Sequence, residues 1–229
     1  MKLSILMPVY NEEERIAEAL KQALAVEYPC EIELVVVNDG SRDGTGAILE
    51  GAADDARLRV ITHPRNAGKG AAIKTAVDSA EGDYMVILDA DLEYDPLDIP
   101  KLLDPVLDGR AKVVYGNRTF GSHSAYSFWY VMGNKAVTTA ANVLFNSYIG
   151  DLETCFKLLP VSLYRSLEIK SRGFGMEAEV TGKLLRRKIR PYEVPISYRA
   201  RGREEGKKIT WKDGVEALWI LGRERARKR

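Results

Sequence analysis

Short apolar runs rich in β-branched side chains recur along the first half of the chain, at Leu3 to Met7, Ile32 to Val37, Leu58 to Ile61, Tyr84 to Leu88 and Lys112 to Tyr115. Each has the length of a strand. Between them lie segments with helical spacing of apolar positions, near 12–25, 43–54, 69–80 and 98–107. This alternation predicts an α/β fold, a mostly parallel, Rossmann-like sheet flanked by helices. In such sheets ligands gather beyond the carboxyl ends of the strands. Three polar loops fall there: PVYNEE after the first run, NDGSRDGT after the second and DADLEYDP after the fourth. The pattern therefore predicts one crevice lined by all three. After residue 116 the alternation stops. The segment SFWYVMGNKAVTTAANVLFNSYIG is aromatic and apolar, GMEAEVTGKLLRRK reads as a helix, RPYEVPISY as a strand and 211–228 as a final helix. This second half reads as an elaboration wrapped over the crevice, within a single domain covering 1–229.

Composition narrows the partners. The 229 residues carry 34 basic and 33 acidic side chains, a net charge of +1, so bulk charge points to no nucleic acid. Distribution says more, because the stretch from Arg199 onward is heavily basic. Cys30 and Cys155 stand far apart with no CxxC partner, which suggests neither a disulfide framework nor a zinc site and makes a reducing cytosol the default. The first residues reach Asn11 and a cluster of charges after a short apolar run, unlike a signal peptide. No stretch reaches the ~18–20 apolar residues that span a bilayer, so any membrane association is expected to be peripheral.

Four acids crowd the end of the fourth run, at Asp89, Asp91, Glu93 and Asp95. Negative charge packed at the end of a buried strand is costly unless a cation sits among it. Alternate residues on an extended backbone share a face, so Asp89 and Asp91 can reach one hard cation, Mg²⁺ or Mn²⁺. Such an ion keeps few protein ligands and completes its shell with water and phosphate, which implies a diphosphate substrate. The plainer alternative is a solvated acidic turn. An aspartyl-phosphate-forming phosphatase would read DxDx[TV], and Glu93 occupies the Thr/Val place. Asp39, after the second run, can accept hydrogen bonds from a ribose or base, or simply belong to a turn. Gly68 and Gly70 flank Lys69 at a helix start, an arrangement resembling an anion site though not a Walker loop.

Eight motifs in order, MPVYNEEERI, VVVNDGSRDGT, NAGKGAAIKTA, DADLEYDP, VVYGNR, DLETCFKLL, FGMEAEVTGKL and YEVPISYRAR, resemble the inverting GT-A glycosyltransferases of family 2. Within that family the likeness is to the branch of dolichyl-phosphate mannose synthase and the polyprenyl-phosphate glycosyltransferases. The resemblance implies a GT-A fold in which 1–116 binds the nucleotide sugar and 117–229 serves the acceptor. It implies that Pro8, Tyr10, Glu12, Val37 and Asp39 hold the nucleoside while Asp89, Ala90 and Asp91 lie along the diphosphate and metal. Glu93 stands where the branch often carries Gln and remains available as a third metal ligand. The donor would be a GDP- or UDP-hexose of mannose or glucose type, and the acceptor a polyprenyl phosphate.

Sugar transfer needs the leaving diphosphate neutralised, which a divalent ion held by Asp89 and Asp91 supplies. A phosphate monoester acceptor, with a second pKa near ~6, is already ionised and needs positive charge more than a base. Arg118, in YGNR, and the basic loop of Arg199, Arg201, Arg203, Lys207 and Lys208 are placed to supply it to acceptor and donor. Asp151 and Glu177 orient these groups, or act as general base if the acceptor is a saccharide hydroxyl, as in cell-wall or capsule synthesis. A third possibility is a non-catalytic nucleotide-sugar-binding module. Trp211, Val215, Leu218, Trp219 and Gly222 recur at helical spacing beside Lys212, Arg223, Arg225, Lys228 and Arg229, which suits either core packing or the surface of an anionic membrane. The expected location is the cytoplasm, at the inner face of the membrane.

Overall fold

The structure, a computed structural model, describes residues 1–52, 55–119, 121, 127–200 and 210–227. Its centre is a seven-stranded sheet in the order β3-β2-β1-β4-β6-β5-β7. Strands β1 (Lys2–Val9), β2 (Glu31–Asn38), β3 (Leu58–Thr62) and β4 (Tyr84–Ile87) are the predicted parallel set. All but Lys2 and Pro8 of β1 are fully or almost fully buried, as expected of strands covered on both faces. The connecting helices are α1 (Ile16–Ala25), α2 (Thr45–Gly51), α3 (Lys69–Ser79) and α4 (Ile99–Leu107). In α1 the buried positions are Ile16, Ala19, Leu20 and Ala23, the i, i+3, i+4, i+7 stripe that a helix lays on a sheet.

The register sets up the crevice. Pro8 pairs with Val37, Val9 with Asn38 and Leu6 with Ile87, so β1, β2 and β4 end side by side. Tyr10, Asp39 and Asp89 are thereby delivered to one rim.

The fifth predicted strand, β5 (Val114–Asn117), does not lie next to β4. β6 (Lys157–Pro160), an element absent from the sequence pattern, is inserted between them and runs antiparallel to both. β7 (Tyr192–Pro195) then pairs parallel to β5 at the edge. The reason β6 escapes the pattern is Lys157, a fully buried lysine in the middle of a core sheet. Its ammonium donates to the carbonyls of Leu152 (2.7 Å) and Thr154 (2.5 Å) and lies 4.5 Å from the Tyr115 ring centre.

Burial is the main influence on Lys157 and lowers its pKa to about 8, although Glu177 and Asp151 pull the other way. An unfolded lysine titrates near ~10.4, so between pH 8 and 10 the unfolded chain binds more protons and stability contributed by this site rises with pH. In urea titrations, Lys157→Met should erase a rise on the order of 2–3 kcal/mol across that window relative to the wild type. An unchanged pH dependence in the variant would show that Lys157 titrates normally.

After β5 come α5 (Phe128–Phe145), then α6 (Val161–Leu167), α7 (Met176–Arg186) and α8 (Trp211–Ala226). A second, smaller core forms where α5, α7 and α8 meet, around Val137, Ala141, Ala178, Leu185, Ala217 and Leu221. Of these three helices, α7 and α8 reach the crevice at the strand ends, through Glu177 and Asp213. The basic loop expected from Arg201 to Lys208 lies outside the described residues, so Arg201, Arg203, Lys207 and Lys208 have no place in the geometry below.

Candidate active site

A cavity of about 380 Å³ opens at the strand ends, lined by Pro8, Tyr10 and Glu12 from the β1 loop, Asp39 from β2, Asp89, Ala90, Asp91, Glu93 and Tyr94 after β4, and Arg118 after β5. The second half supplies Glu153, Cys155, Phe174, Glu177, Tyr198 and Asp213. Most of the residues expected from the sequence thus share one space. Val37 is an exception. Its side chain is fully buried within β2 and contributes nothing to the lining.

Asp39 is 2% exposed, and its carboxylate is largely taken by the protein itself. Oδ1 meets His63 Nδ1 at 2.7 Å and accepts from the Ala67 amide at 3.0 Å, while Oδ2 accepts from the Gly68 amide at 2.8 Å. His63 in turn meets the Thr75 hydroxyl through Nε2 at 2.9 Å. A carboxylate offers about four acceptor positions, so roughly one faces the crevice for a ribose or base. His63, an isolated histidine with no motif around it, therefore holds Asp39 in place. Only its tertiary neighbours reveal that role.

The anion site expected at the start of α3 is closed. Gly68 has φ +97° and a Cβ there would strike the Arg172 carbonyl, while one at Gly70 would strike that of Ser171. The glycines let the backbone of residues 171–172 press on the helix start, where the Ala71 amide donates to the Arg172 carbonyl at 3.2 Å. That loop is anchored from α7, because Glu179 accepts from the amides of Lys170 (3.0 Å) and Ser171 (2.7 Å). Lys69 points instead into the carboxylates, 2.9 Å from Asp89 Oδ2 and 2.9 Å from Glu177 Oε1. Burial opposes its charge, but Asp89 and Glu177 outweigh burial and hold its pKa well above the usual lysine range. Lys69 thus ties the end of β4 to the start of α7 across the crevice.

β4 ends at Ile87, and Asp89, Ala90 and Asp91 form a turn rather than an extension of the strand. The Glu93 amide donates to Asp91 Oδ1 at 3.1 Å, and Leu92 takes φ 62°, in the left-handed region. The turn still brings both aspartates to the crevice. Glu93 differs from the expectation of a third metal ligand: its Oε2 accepts from the Tyr198 hydroxyl at 2.6 Å. Among the described residues no group of three acidic, histidine or cysteine side chains is arranged around a common point. The donor set fits Mg²⁺ or Mn²⁺ held by two hard carboxylate oxygens with the rest of the shell left to water and substrate phosphate. The Lys69 ammonium against Asp89 shows that this corner already gathers positive charge.

Arg118 is held by a carboxylate and two rings. Its Nε and Nη2 donate to Asp151 Oδ2 (2.6 Å) and Oδ1 (2.8 Å) in a two-pronged pair. Its guanidinium carbon lies 4.9 Å from the Tyr198 ring centre and 6.0 Å from that of Tyr94. Among the described residues Nη1 and the second Nη2 hydrogen have no hydrogen-bond partner and are open to a ligand oxygen. Asp151 is 1% exposed, also accepts from the Asn134 amide group at 2.8 Å, and does not line the cavity. Burial pushes its pKa up, yet Arg118 prevails and holds the carboxyl below its usual range. Asp151 thus positions Arg118, and the alternative of Asp151 as general base finds no support in the geometry.

Glu177 is different. One oxygen pairs with Lys69, while Oε2 is buried with no hydrogen-bond partner among the described residues. Glu153, within DLETC, also lines the cavity, and burial raises its pKa above the usual range. The aromatic wall of Tyr94 and Tyr198, whose rings meet edge to face at 5.2 Å, had no signal in the sequence beyond the aromatic residues themselves.

Comparison with known proteins fits this geometry. A family model described as glycosyl transferase family 2 matches residues 4–167. The undecaprenyl-phosphate 4-deoxy-4-formamido-L-arabinose transferase of Pseudomonas fluorescens (strain SBW25) is 37% identical over 131 residues, covering 56% of this chain and 38% of its own. Glycosyltransferase AglJ of Haloferax volcanii is 28% identical over 195 residues, covering 85% of this chain and 62% of its own. The chain spans less than two thirds of the length of either relative. Among solved structures, glucosyl-3-phosphoglycerate synthase from Mycobacterium tuberculosis, in complex with Mn²⁺, UDP and glucosyl-3-phosphoglycerate, aligns with TM-score 0.74 at 20% identity over 97% of this chain and 79% of its own. S. aureus TarS with UDP-GlcNAc aligns with TM-score 0.67 at 18% identity over 98% and 66%. With the family model matched over most of its length and the fold shared with these enzymes, the chain belongs to glycosyltransferase family 2 and carries the GT-A fold.

Proposed function

We propose that this protein transfers a hexose of glucose or mannose type from a nucleotide-diphosphate sugar to a polyprenyl phosphate, with inversion at the sugar carbon. The observation that carries the reading is the pairing of two charges across one crevice: Asp89 and Asp91 on the donor side, and the clamped Arg118 guanidinium on the acceptor side. The names of the relatives, which include undecaprenyl-phosphate transferases, support a lipid phosphate as acceptor.

In this reading Pro8, Tyr10, Glu12 and the remaining acceptor position of Asp39 receive the nucleoside, and Asp89 and Asp91 would hold Mg²⁺ or Mn²⁺. Bound there, such an ion would supply Lewis-acid neutralisation of the departing diphosphate. Arg118 presents its remaining donors to the acceptor phosphate. Tyr94, Tyr198 and Asp151 prevent the guanidinium from swinging away, so little reorganisation is needed as charge moves in the transition state. A dianionic phosphate attacks without a base.

The unpartnered Glu177 Oε2 favours a second reading, in which the acceptor is a saccharide hydroxyl and Glu177 takes its proton. Glu177→Gln separates the two. With a polyprenyl phosphate, initial rates from radiolabelled GDP-mannose and UDP-glucose should fall by less than about tenfold, because general-base help, worth roughly 10²- to 10⁴-fold, is not needed. A loss of that larger size, with the basic limb of the pH profile displaced, would replace the phosphate acceptor by a hydroxyl. No incorporation into any lipid phosphate from either donor by the wild type, at any Mn²⁺ concentration, would overturn the first reading outright.

A further inference from the structure

The carboxyl ends of α5, α7 and α8 converge on a second cavity, of about 440 Å³. Five cations line it: Arg186, Lys188 and Arg190 from the end of α7 and the segment after it, and Arg225 and Arg227 from the end of α8. It is separate from the crevice. Glu177 and Asp213, which line the crevice near the amino ends of the same two helices, stand about 14 Å from Arg186 and about 18 Å from Arg225 along the helix axes.

Cations near helix carboxyl ends are expected, because they answer unpaired carbonyls and the negative end of the helix dipole. Two of the five do so. Arg225 Nε donates to the Leu144 carbonyl at 2.8 Å, and Arg190 Nη2 to that of Asn146 at 3.1 Å. Each contact uses one of the five N–H donors of a guanidinium and leaves its positive charge without a counter-charge. Arg186 and Arg227 share the buried Glu224, at 3.3 and 2.8 Å, and that carboxylate also meets Arg223 at 3.4 Å. One negative charge is thus divided among three guanidinium groups. Among the described residues Lys188, Arg190 and Arg225 have no acidic partner, and the Lys188 ammonium has no hydrogen bond. Lys188 has φ 62°, the left-handed position after a helix that glycine or asparagine usually fills, and its amide donates to the Leu185 carbonyl at 2.9 Å. The lysine brings charge to this place rather than conformational ease.

Like charges gathered around one concavity repel each other and raise its affinity for an anion. Its size and chemistry choose which anion. A water molecule takes about 30 Å³ of liquid volume, so the space far exceeds the needs of a single halide ion. The guanidinium fork matches pairs of phosphate oxygens. Five cations against one shared carboxylate suit an anion that carries several charges close together.

We propose that the cavity at the carboxyl ends of α5, α7 and α8 binds a soluble compound bearing two or more linked phosphates, held by Lys188, Arg190 and Arg225. Among the described residues its lining contains no acidic side chain, so this phosphate site needs no divalent ion, unlike the one expected at Asp89 and Asp91. Its existence does not depend on the function proposed above.

Inorganic tripolyphosphate, in buffer containing EDTA, is the probe. Calorimetric titration should show saturable binding at least about tenfold tighter than that of sulfate at the same ionic strength, and weaker as sodium chloride is added. Acetylation of lysines, read by mass spectrometry, should find Lys188 protected by the probe while the exposed Lys21 of α1 stays reactive. The double variant Lys188→Gln, Arg190→Gln should lose about tenfold or more in affinity. Arg225→Gln, on a different helix, should lower it separately. All three side chains are exposed, so circular dichroism should find the fold of both variants unchanged. Tripolyphosphate that binds while Lys188 stays reactive, or binds equally to both variants, would place the anion elsewhere and overturn the proposal. Binding no tighter than that of sulfate would also overturn it, as the mark of a merely screened basic surface. So would protection of Lys188 by phosphatidylglycerol vesicles but not by tripolyphosphate, which would give these cations to a lipid headgroup. Because the titration contains neither a sugar donor nor an acceptor, its failure and the failure of the proposed transfer are read separately.

Discussion

Asp91→Asn should lower the rate of sugar transfer by about 10²- to 10³-fold, the cost of removing one preorganised charge from a transition state, roughly 3–4 kcal/mol. The substitution keeps the volume of the side chain and an oxygen for the Glu93 amide, which donates to Asp91 Oδ1 at 3.1 Å. The turn should therefore survive. What is lost is one of the two carboxylates that, in the proposed function, face the donor diphosphate. A second measurement separates this from misfolding: the melting temperature without ligand should hold or rise, because a like charge has been removed beside Asp89. The increase in melting temperature that a nucleotide sugar and Mn²⁺ give the wild type by mass action should shrink or vanish. A variant that turns over normally and keeps its Mn²⁺-dependent donor binding would remove Asp91 from the chemistry.

Arg118→Met should cost on two accounts. Asp151, 1% exposed, would be left with Asn134 as its side-chain partner, and breaking a buried pair on one side typically destabilises by about 3–5 kcal/mol. Transfer should fall by about 10²-fold or more as the positive charge proposed to meet the acceptor phosphate is removed. The double variant Arg118→Met, Asp151→Asn resolves the two effects. Replacing both charges relieves the stranded carboxylate, so most of the stability should return in urea titrations while transfer stays low. Recovery of both together would mean that Arg118 serves only the fold. Retained transfer in the single variant would move the acceptor elsewhere in the crevice.

Much of the rim formed by β1, β2 and β4 was legible without coordinates. Parallel strands buried on both faces write themselves as continuous apolar runs, and the loops after them must be polar because they meet water. Tyr10, Asp39, Asp89 and Asp91 could therefore be assigned to one rim from order alone. The likeness of eight motifs to a known family agreed with the family model that matches residues 4–167. The part of the crevice supplied by the second half of the chain was harder to read. Arg118 was placed at a strand end by its motif, but its clamp comes from Asp151, 33 positions away, and from Tyr198 in a different strand region. Lys157 hid β6 because a lysine interrupts the apolar run that signals a buried strand, and only two carbonyls and a ring make its burial tolerable.

The residues by themselves determined the parallel half of the sheet, the polar loops at its carboxyl edge and the acidic pair after the fourth strand, since these depend on local periodicity and on charge that must find a cation. Tertiary structure alone decided the rest. It turned Lys69 from an open helix start to the carboxylates of Asp89 and Glu177, gave Glu93 to Tyr198 and Asp39 to His63, and left three tryptophans facing outward. The physical reason is common to all of these. A polar side chain satisfies itself with whatever partner the fold brings within hydrogen-bond reach, and an apolar one packs or stays exposed according to what covers it. Neither neighbour is encoded in the spacing of the residue along the chain.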